Sequence, residues 1–380
     1  MRKSIAIIGG GAAALAFASF INTERYDVTI YEKNKALGRK FLVAGKGGFN
    51  LTHSQAISTL KGKYTPEGFL DRCLDTFTNT DFRKWLDEIG IPTYIGSSGR
   101  IFPIQGIKPI EVLQNILQHI KNRGVVIKTD YEWKGERLAD VMVYALGGAS
   151  WPVTGSDGSW IQYFEEALPF YGVNCAVRVE WPKSTLQQVE GKPLKNIGIE
   201  YKNTRYHGEA VITKFGLEGG VIYQHSLEIR SALNMHQSTT IYLDLKKDLS
   251  EQQILLKLKQ SGEKTLTSTL KRDLKLSKAS IELLKGFVSK DDFLHKVTLA
   301  QCIKKLPILV TDMAPIDEAI STIGGIPIDS LTSNFELSDI PDHYCIGEMV
   351  NWHAPTGGYL LQGCFSMGYF LATNLSARHP

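Results

Sequence analysis

Glycines at fixed spacing, with charged and polar residues at set offsets, mark the parts of this chain that can do chemistry. The first group is Gly9-x-Gly11-x-x-Ala14, set between the apolar run Ser4–Ile8 and the alanine-rich segment Ala12–Ile21. Glycine at the first position permits a tight turn. At the second it lets the backbone approach a diphosphate, and Ala14 lets helix and strand pack closely. The N–H groups that open such a helix, those of Ala12 and Ala13 among them, and the positive end of its dipole then face the phosphates. Glu32 closes the next β-type run, Asp27–Tyr31. A carboxylate there accepts hydrogen bonds from both hydroxyls of a ribose and repels a 2′-phosphate. Strand, glycine turn, helix and acidic strand end, in this order, predict a dinucleotide-binding βαβ unit.

The residues after Glu32 bear on which dinucleotide. Lys33 stands beside Glu32, and Gly38-Arg39-Lys40 supplies a turn and two cations near the expected diphosphate. Gly45, Gly47 and Gly48 let a loop pass close to a flat ring or a phosphate, and Asn50-Leu51-Thr52 adds polar groups. A plain NAD-binding domain has no need of such a loop. Further on, Ala145 and Gly147-Gly148 close the apolar run Val141–Leu146, with Gly155 and Asp157-Gly158 after them. Gly347-Glu348 comes after the run Tyr344–Ile346, and Gly357-Gly358-Tyr359-Leu360 opens the last helix.

Three stretches resemble a known family. They are EKNKALGRKFLVAGKGGFNLTHS (Glu32–Ser54), ALGGASWPVTGSDG (Ala145–Gly158) and GEMVNWHAPTGGYLLQGCFSMG (Gly347–Gly368). In this order they are similar to the HI0933-like (BaiN-like) flavoproteins, in the branch with an A-G-K-G-G loop. The resemblance covers both ends of the chain and is only general between about residues 172 and 310. It implies FAD, with Gly147-Gly148 as the second strand–turn motif of two-dinucleotide-binding flavoproteins. Gly347-Glu348 then stands for their G-D motif, its carboxylate on the ribityl hydroxyls. The N–H groups at Gly357–Tyr359 would face the flavin N1–C2=O edge, where a positive helix end favours the reduced, anionic ring. Family activities include reduction of carbon–carbon double bonds in oxo-bile acids and oxidation of a small aminoketone. Asn351 departs from the pattern, which commonly has Asp there.

A flavin carries the hydride chemistry, so the protein's own acid/base groups must lie near the ring. His53, His353 and Tyr359 fall within the cofactor-type loops and are the candidate catalytic residues. Cys345 and Cys364 flank the motifs without a cysteine partner nearby, which favours buried structural thiols over a disulfide-reductase mechanism. Trp151 and Trp352 read as core aromatics. The Thr213–Gly220 stretch suits either a close approach to a ligand or a plain turn. There is no second G-x-G-x-x-G, so NAD(P)H is expected only as a transient electron donor. No metal-ligand, P-loop or serine-hydrolase pattern is present.

These groups need elements to hold them. The chain has 380 residues, 43% hydrophobic and 22% charged, the balance of an ordinary globular protein. Lys plus Arg is 43 and Asp plus Glu 39, a net charge of +4, which excludes a strongly cationic nucleic-acid binder as the default. Five scattered cysteines without C-x-x-C speak for a reducing compartment, and the expected location is the cytoplasm, with no membrane association. The uncharged run after Met1-Arg2-Lys3 has signal-peptide composition, but Gly9-Gly10-Gly11 in its middle breaks a helix and divides it into strand, turn and helix.

Helical spacing is read at Phe69–Phe77, at Phe82–Ile89 (cap at Asn79 or Thr80, stop at Gly90) and at Ile110–Ile120, closed by Gly124. Val125–Thr129 and Val141–Leu146 read as buried strands. After about residue 172, β-type runs succeed one another without helices: Ala176–Trp181, Ile197–Tyr201, Glu209–Thr213, Val221–Tyr223 and Thr240–Leu245. A capping box at Ser250 and Gln253 opens a Lys- and Leu-rich helical stretch to about Lys305. The fold class is therefore α/β: a Rossmann-like FAD-binding domain of the two-dinucleotide-binding type (1–168 with 312–380), interrupted by a β-rich insert domain (169–248 with 306–311) and a small helical insert (249–305). The expected function is an FAD-dependent oxidoreductase moving a hydride between flavin N5 and a small organic substrate. The alternatives are a regulatory flavoprotein binding RNA or a protein partner, with the Lys-rich helices (Lys257–Lys290) as an RNA contact, and an NAD-dependent dehydrogenase. Nucleic acid is not the expected partner.

Overall fold

The computed structural model describes residues 2–43, 49–260 and 265–378. Gly45, Gly47 and Gly48 lie outside the described residues. The chain forms two compact units, Met1–Gly172 with Ile320–Pro380, and Val173–Ala319.

The first unit is built on a five-stranded sheet. Its strands are β1 (Lys3–Ile8), β2 (Tyr26–Tyr31), β3 (Val126–Lys128), β4 (Val141–Tyr144) and β5 (His343–Cys345). They run parallel in the spatial order β3-β2-β1-β4-β5. This is the doubly wound arrangement, with the order reversing between β1 and β4. The register lines up the strand ends: Ile8 lies opposite both Tyr31 and Tyr144, and Tyr144 opposite Cys345. Every turn leaving these strands therefore emerges on one edge.

Helix α1 (Ala12–Phe20) follows β1 and is buried from Ala13 through Ser19. Its small residues let the last helix (Tyr359–Arg378) cross close by. A side chain at Gly368 would come within 2.6 Å of Ala16 Cβ and 2.7 Å of the Phe17 nitrogen. A second, three-stranded sheet places Arg100–Pro103 between Thr52–His53 and Thr93–Ile95. The helix Asn79–Glu88 begins one residue earlier than the sequence cap suggests. Thr78 is the cap, in a reciprocal box with Asp81, because the Asp carboxylate at the third helical position reaches back to the Thr78 N–H.

The second unit holds a seven-stranded antiparallel sheet. Its long hairpin is Pro193–Tyr201 with Thr204–Ile212. The helices Glu251–Lys259, Leu266–Arg272, Lys278–Phe287, Lys290–Leu294 and Lys296–Lys304 belong to the same unit. Ile254, Leu258, Leu270 and Leu284 share one hydrophobic core with Ile199 and Ile241 of the sheet. The run Val221–Tyr223 is helical, not a strand. Gly219 (φ +120°) turns the chain out of the strand Gly216–Glu218, and three apolar residues alone do not distinguish the two states. The Thr213 N–H donates to the Gly216 carbonyl at 2.8 Å, so this stretch forms a tight hairpin turn. No helix among the described residues is long and apolar enough to cross a membrane.

Candidate functional site

The aligned strand ends of the first unit bring four sequence motifs together. Gly9, at φ +100°, presses on the end of β4: a Cβ there would come 2.5 Å from the Ala145 carbonyl oxygen. Gly10 is equally enclosed, with a would-be Cβ 2.6 Å from Leu37 and 3.0 Å from Glu32 Oε2. Gly11 is the opposite case, with no atom of the described residues within 4 Å of its would-be Cβ. It is also the N-cap of α1, where no side chain caps the helix and no acidic residue occupies the first turn. Helix-opening N–H groups thus face an open space that a side chain would fill, a fitting cradle for a diphosphate.

Glu32 is buried beside this turn. Its Oε2 accepts the Gly10 N–H at 2.8 Å, and its Oε1 accepts both the backbone and side-chain N–H of Asn34, at 2.8 and 2.7 Å. A carboxylate has about four acceptor positions, so capacity for a ribose hydroxyl remains. The Gly38 N–H donates to the Gly10 carbonyl at 2.9 Å, which fastens the following loop to the turn. Arg39 then donates to Asn34 Oδ1 at 2.6 Å. Lys33 and Asp157 pair at 2.8 Å. Lys40 reaches Glu348 at 3.0 Å and Ser150 Oγ at 2.8 Å. The two residues assigned separately to a diphosphate and to a ribityl chain therefore meet each other.

Close backbone approach recurs at the remaining glycines. Gly347 (φ +80°) packs on Ala13, 2.7 Å from its would-be Cβ, and accepts the Trp352 indole N–H at 2.8 Å. Trp352 is thus a buried pillar under the turn. Gly147 accepts the Trp160 indole N–H at 2.9 Å. Gly148 faces Thr322, whose hydroxyl takes the Ala149 N–H at 3.2 Å. Gly358 (φ +96°) lies against the Thr52 backbone, 2.6 Å from its would-be Cβ, while Thr52 Oγ1 donates to Gln362 Oε1 at 2.6 Å. Leu51, fully buried, is fixed by its N–H to Ile101 at 2.8 Å, with the half-buried Asn50 before it. Leu360 stands in the first turn of the last helix, half-buried.

Of the three candidate acid/base residues, two come together. His53 stacks on Tyr359 with ring centroids 5.4 Å apart and planes 12° from parallel. Its Nδ1 accepts the Gln55 N–H at 3.2 Å and its Nε2 donates to the Ser98 carbonyl at 3.1 Å, which fixes the tautomer. Burial lowers its pKa, and Arg100 and Lys63 add to the effect, so it is neutral at neutral pH. The Tyr359 hydroxyl donates to Gln55 Oε1 at 2.7 Å, and burial raises its pKa. His353 makes a different set of contacts, beside Thr65, whose neighbour Tyr64 donates its hydroxyl to the Tyr359 carbonyl at 2.8 Å. The His353 backbone pairs with Thr65 through two 2.8 Å bonds, but its buried Nδ1 has no hydrogen-bond partner among the described residues. Burial pushes its pKa down to about 4. Cys345 and Cys364 are buried with thiol pKa values pushed up by desolvation, which leaves them unreactive. Asn351 accepts the Gly324 N–H at 2.9 Å, a structural bond.

Sequence reasoning missed Gln55, Gln362, Thr322 and Arg100. Gln55, Thr322 and Arg100 are ordinary polar residues outside the glycine motifs, and Gln362, though inside the last motif, shows its role only through its bond to Thr52.

The chain is similar to several known proteins. The chain is 24% identical to the "Ribosomal RNA dihydrouridine synthase" of Haemophilus influenzae, over 97% of this chain and 98% of that one. It is 24% identical to the "3-dehydro-bile acid delta(4,6)-reductase" of Clostridium scindens, over 99% of both. Among solved structures, the 3-ketosteroid delta1-dehydrogenase of Sterolibacterium denitrificans aligns with a TM-score of 0.49 and 11% identity, over 99% of this chain and 100% of that one. The family model for the HI0933-like protein Rossmann domain matches residues 3–374, so the chain belongs to that family and its first unit is a Rossmann-type FAD-binding domain.

Proposed function

We propose that this protein is an FAD-dependent oxidoreductase that adds hydrogen across a carbon–carbon double bond conjugated to a carbonyl. The observation that carries the cofactor reading is the open cradle at Gly11, on the same sheet edge as Glu32, Ala145–Gly148 and Gly347-Glu348. In this reading Gly9, Gly11, Ala12 and Ala13 hold the diphosphate, and Glu32 takes the ribose with Lys33, Arg39 and Asp157 around it. Lys40 and Glu348 orient the ribityl region as a pair, and the start of the last helix receives the ring. Bound FAD supplies a ring able to exchange a hydride. The chain's residues bind and orient it, exclude water, and hold a proton on Tyr359 Oη. His53, its tautomer locked, acts as the flat backing of that phenol rather than as a proton carrier.

The substrate class rests on the two named relatives. A dihydrouridine synthase saturates a uracil ring double bond, and a delta(4,6)-reductase saturates double bonds in a 3-oxo steroid nucleus. Both bonds are conjugated to a carbonyl. NAD(P)H as transient donor, a cytoplasmic location and a division of the second unit into a β-rich and a helical part complete the proposal. A ribosomal RNA substrate is the second reading, favoured by the Haemophilus relative.

The purified protein is expected to be yellow and to release FAD on denaturation. After anaerobic reduction it is expected to be reoxidised by cyclic enones, by 3-oxo-4-ene steroids or by a uridine-bearing ribosomal RNA fragment. A colourless protein that takes up no FAD overturns the cofactor reading. A flavoprotein reoxidised by none of these overturns the substrate class.

A further inference from the structure

The hairpin strand Arg100–Pro103 presents a cation that none of the motifs accounts for. Arg100 is half-buried and pairs through its strand with His53. Its Nε lies 3.5 Å from where a Gly357 side chain would begin, and the Tyr359 ring lies 3.3 Å from the same point. Gly357, at φ +122°, therefore keeps a gap open between a guanidinium and a phenol. Among the described residues, no carboxylate pairs with Arg100 and no acceptor hydrogen-bonds its guanidinium. Of the described neighbours, His53 is neutral and burial keeps Tyr359 protonated, while Lys63 lies close enough to His53 to add a second positive charge to the region. A guanidinium offers five donors in a fixed planar fork, and among the described residues that fork meets no acceptor.

We propose that Arg100, across the gap kept by Gly357, is an oxyanion-holding residue: it binds a conjugated carbonyl oxygen that gains negative charge as electrons arrive. This rests on the enone-reducing reading above. When a hydride adds to the β-carbon of an enone, the electron pair moves onto the carbonyl oxygen, and the Tyr359 hydroxyl then gives its proton to the α-carbon and is reprotonated from solvent. The reduced flavin is the two-electron donor, and the product is the saturated ketone. The charged oxygen can belong to the substrate or to the carbonyl edge of the flavin's own pyrimidine ring. The chemistry of recognition is shared, and experiment separates the sources.

The test uses the FAD-loaded full chain as wild type, Arg100→Gln and Arg100→Lys. Flavin content and melting temperature are checked first, to show that each variant folds and holds its cofactor. Binding of 4-nitrophenolate, a stable anionic oxygen on a conjugated ring, is measured by equilibrium dialysis, and the flavin midpoint potential by dye equilibration. A hydrogen bond to a charged group is worth roughly 1.5–3 kcal/mol, about 10- to 100-fold. If the substrate is the source, Arg100→Gln binds 4-nitrophenolate at least about tenfold more weakly, Arg100→Lys lies between, and the potential holds. If the flavin edge is the source, the potential falls by about 30 mV or more in Arg100→Gln, the equivalent of a tenfold change for a two-electron couple. Unchanged phenolate binding together with an unchanged potential overturns the proposal, as does a wild type that binds no phenolate and keeps its potential on substitution. Loss of flavin from the wild type would instead strike the cofactor reading.

Discussion

Two glycines two positions apart should fail in opposite ways. Gly9 is at φ +100° with its would-be Cβ 2.5 Å from the Ala145 carbonyl oxygen, whereas Gly11 is extended (φ −80°, ψ −174°) with nothing among the described residues within 4 Å. Alanine at position 9 takes on a backbone strain of roughly 1–3 kcal/mol. It also adds an overlap with the β4 strand end of about 1–3 kcal/mol. Since a domain is stable by only about 5–15 kcal/mol, Gly9→Ala should lower the melting temperature of the apoprotein by on the order of 10 °C. Gly11→Val places its branched side chain in empty space, and its cost to the apoprotein should stay near or below about 1 kcal/mol. In exchange it fills the cradle. Losing two charge-assisted bonds from the helix N–H groups costs about 3–6 kcal/mol, a hundredfold or more in FAD affinity. Calorimetry of the apoproteins and FAD titration by fluorescence quenching separate the two effects. If Gly11→Val melts as Gly9→Ala does, or if it retains FAD as the wild type does, the assignment of Gly11 to the cradle is wrong.

Three other expectations rest on single contacts. Burial depresses the His353 pKa to about 4 from an ordinary 6.5, so its stabilising effect is complete above pH 6.5 and is lost as pH falls toward 4. That loss amounts to up to about 3 kcal/mol, and a His353→Phe variant should show a flatter stability profile across this window in chemical denaturation. Lys40 and Glu348, both partly buried, should show a coupling of about 1 kcal/mol in a Lys40→Met, Glu348→Gln double-mutant cycle, and a value near zero would deny that they act as a pair. Gly368→Ala should destabilise the apoprotein by about 1–3 kcal/mol by forcing the last helix off α1, readable as an earlier urea midpoint at unchanged slope.

The glycine turn, the acid after β2 and the strand ends before Gly147 and Gly347 were legible in the sequence, because each joins a local backbone requirement to a β-type run. The partners of those residues were not. Lys40 and Glu348 are far apart in the chain and meet only because β5 lies two strands from β1. His53 has the place in a motif that suits an acid/base group. Its two nitrogens are held by a backbone N–H and a carbonyl, which no spacing rule reports. Arg100 was invisible for the same reason: it is one polar residue in a hairpin, and its position depends on pairing with His53 and on Gly357 arriving from the other end of the chain. The mistaken strand at Val221–Tyr223 shows the converse, a composition rule applied where a neighbouring glycine decides the backbone.

The chain leaves and re-enters the first unit at a single fixed place. The strand Leu168–Val173 carries the chain out, and the strand Ser321–Gly325 brings it back, paired with the first in a two-stranded ribbon. Gly324, at φ +114°, lets the returning strand press on the Pro169 carbonyl, and Gly325 lets it press on the Met349 carbonyl next to Glu348. The exit and re-entry points are thus clamped beside the turn that holds Glu348. A loop whose ends are fixed costs little more in closure entropy as it lengthens. The fixed ends thus keep β5, Glu348 and the last helix in register on β4 and α1 whatever the length of chain between them.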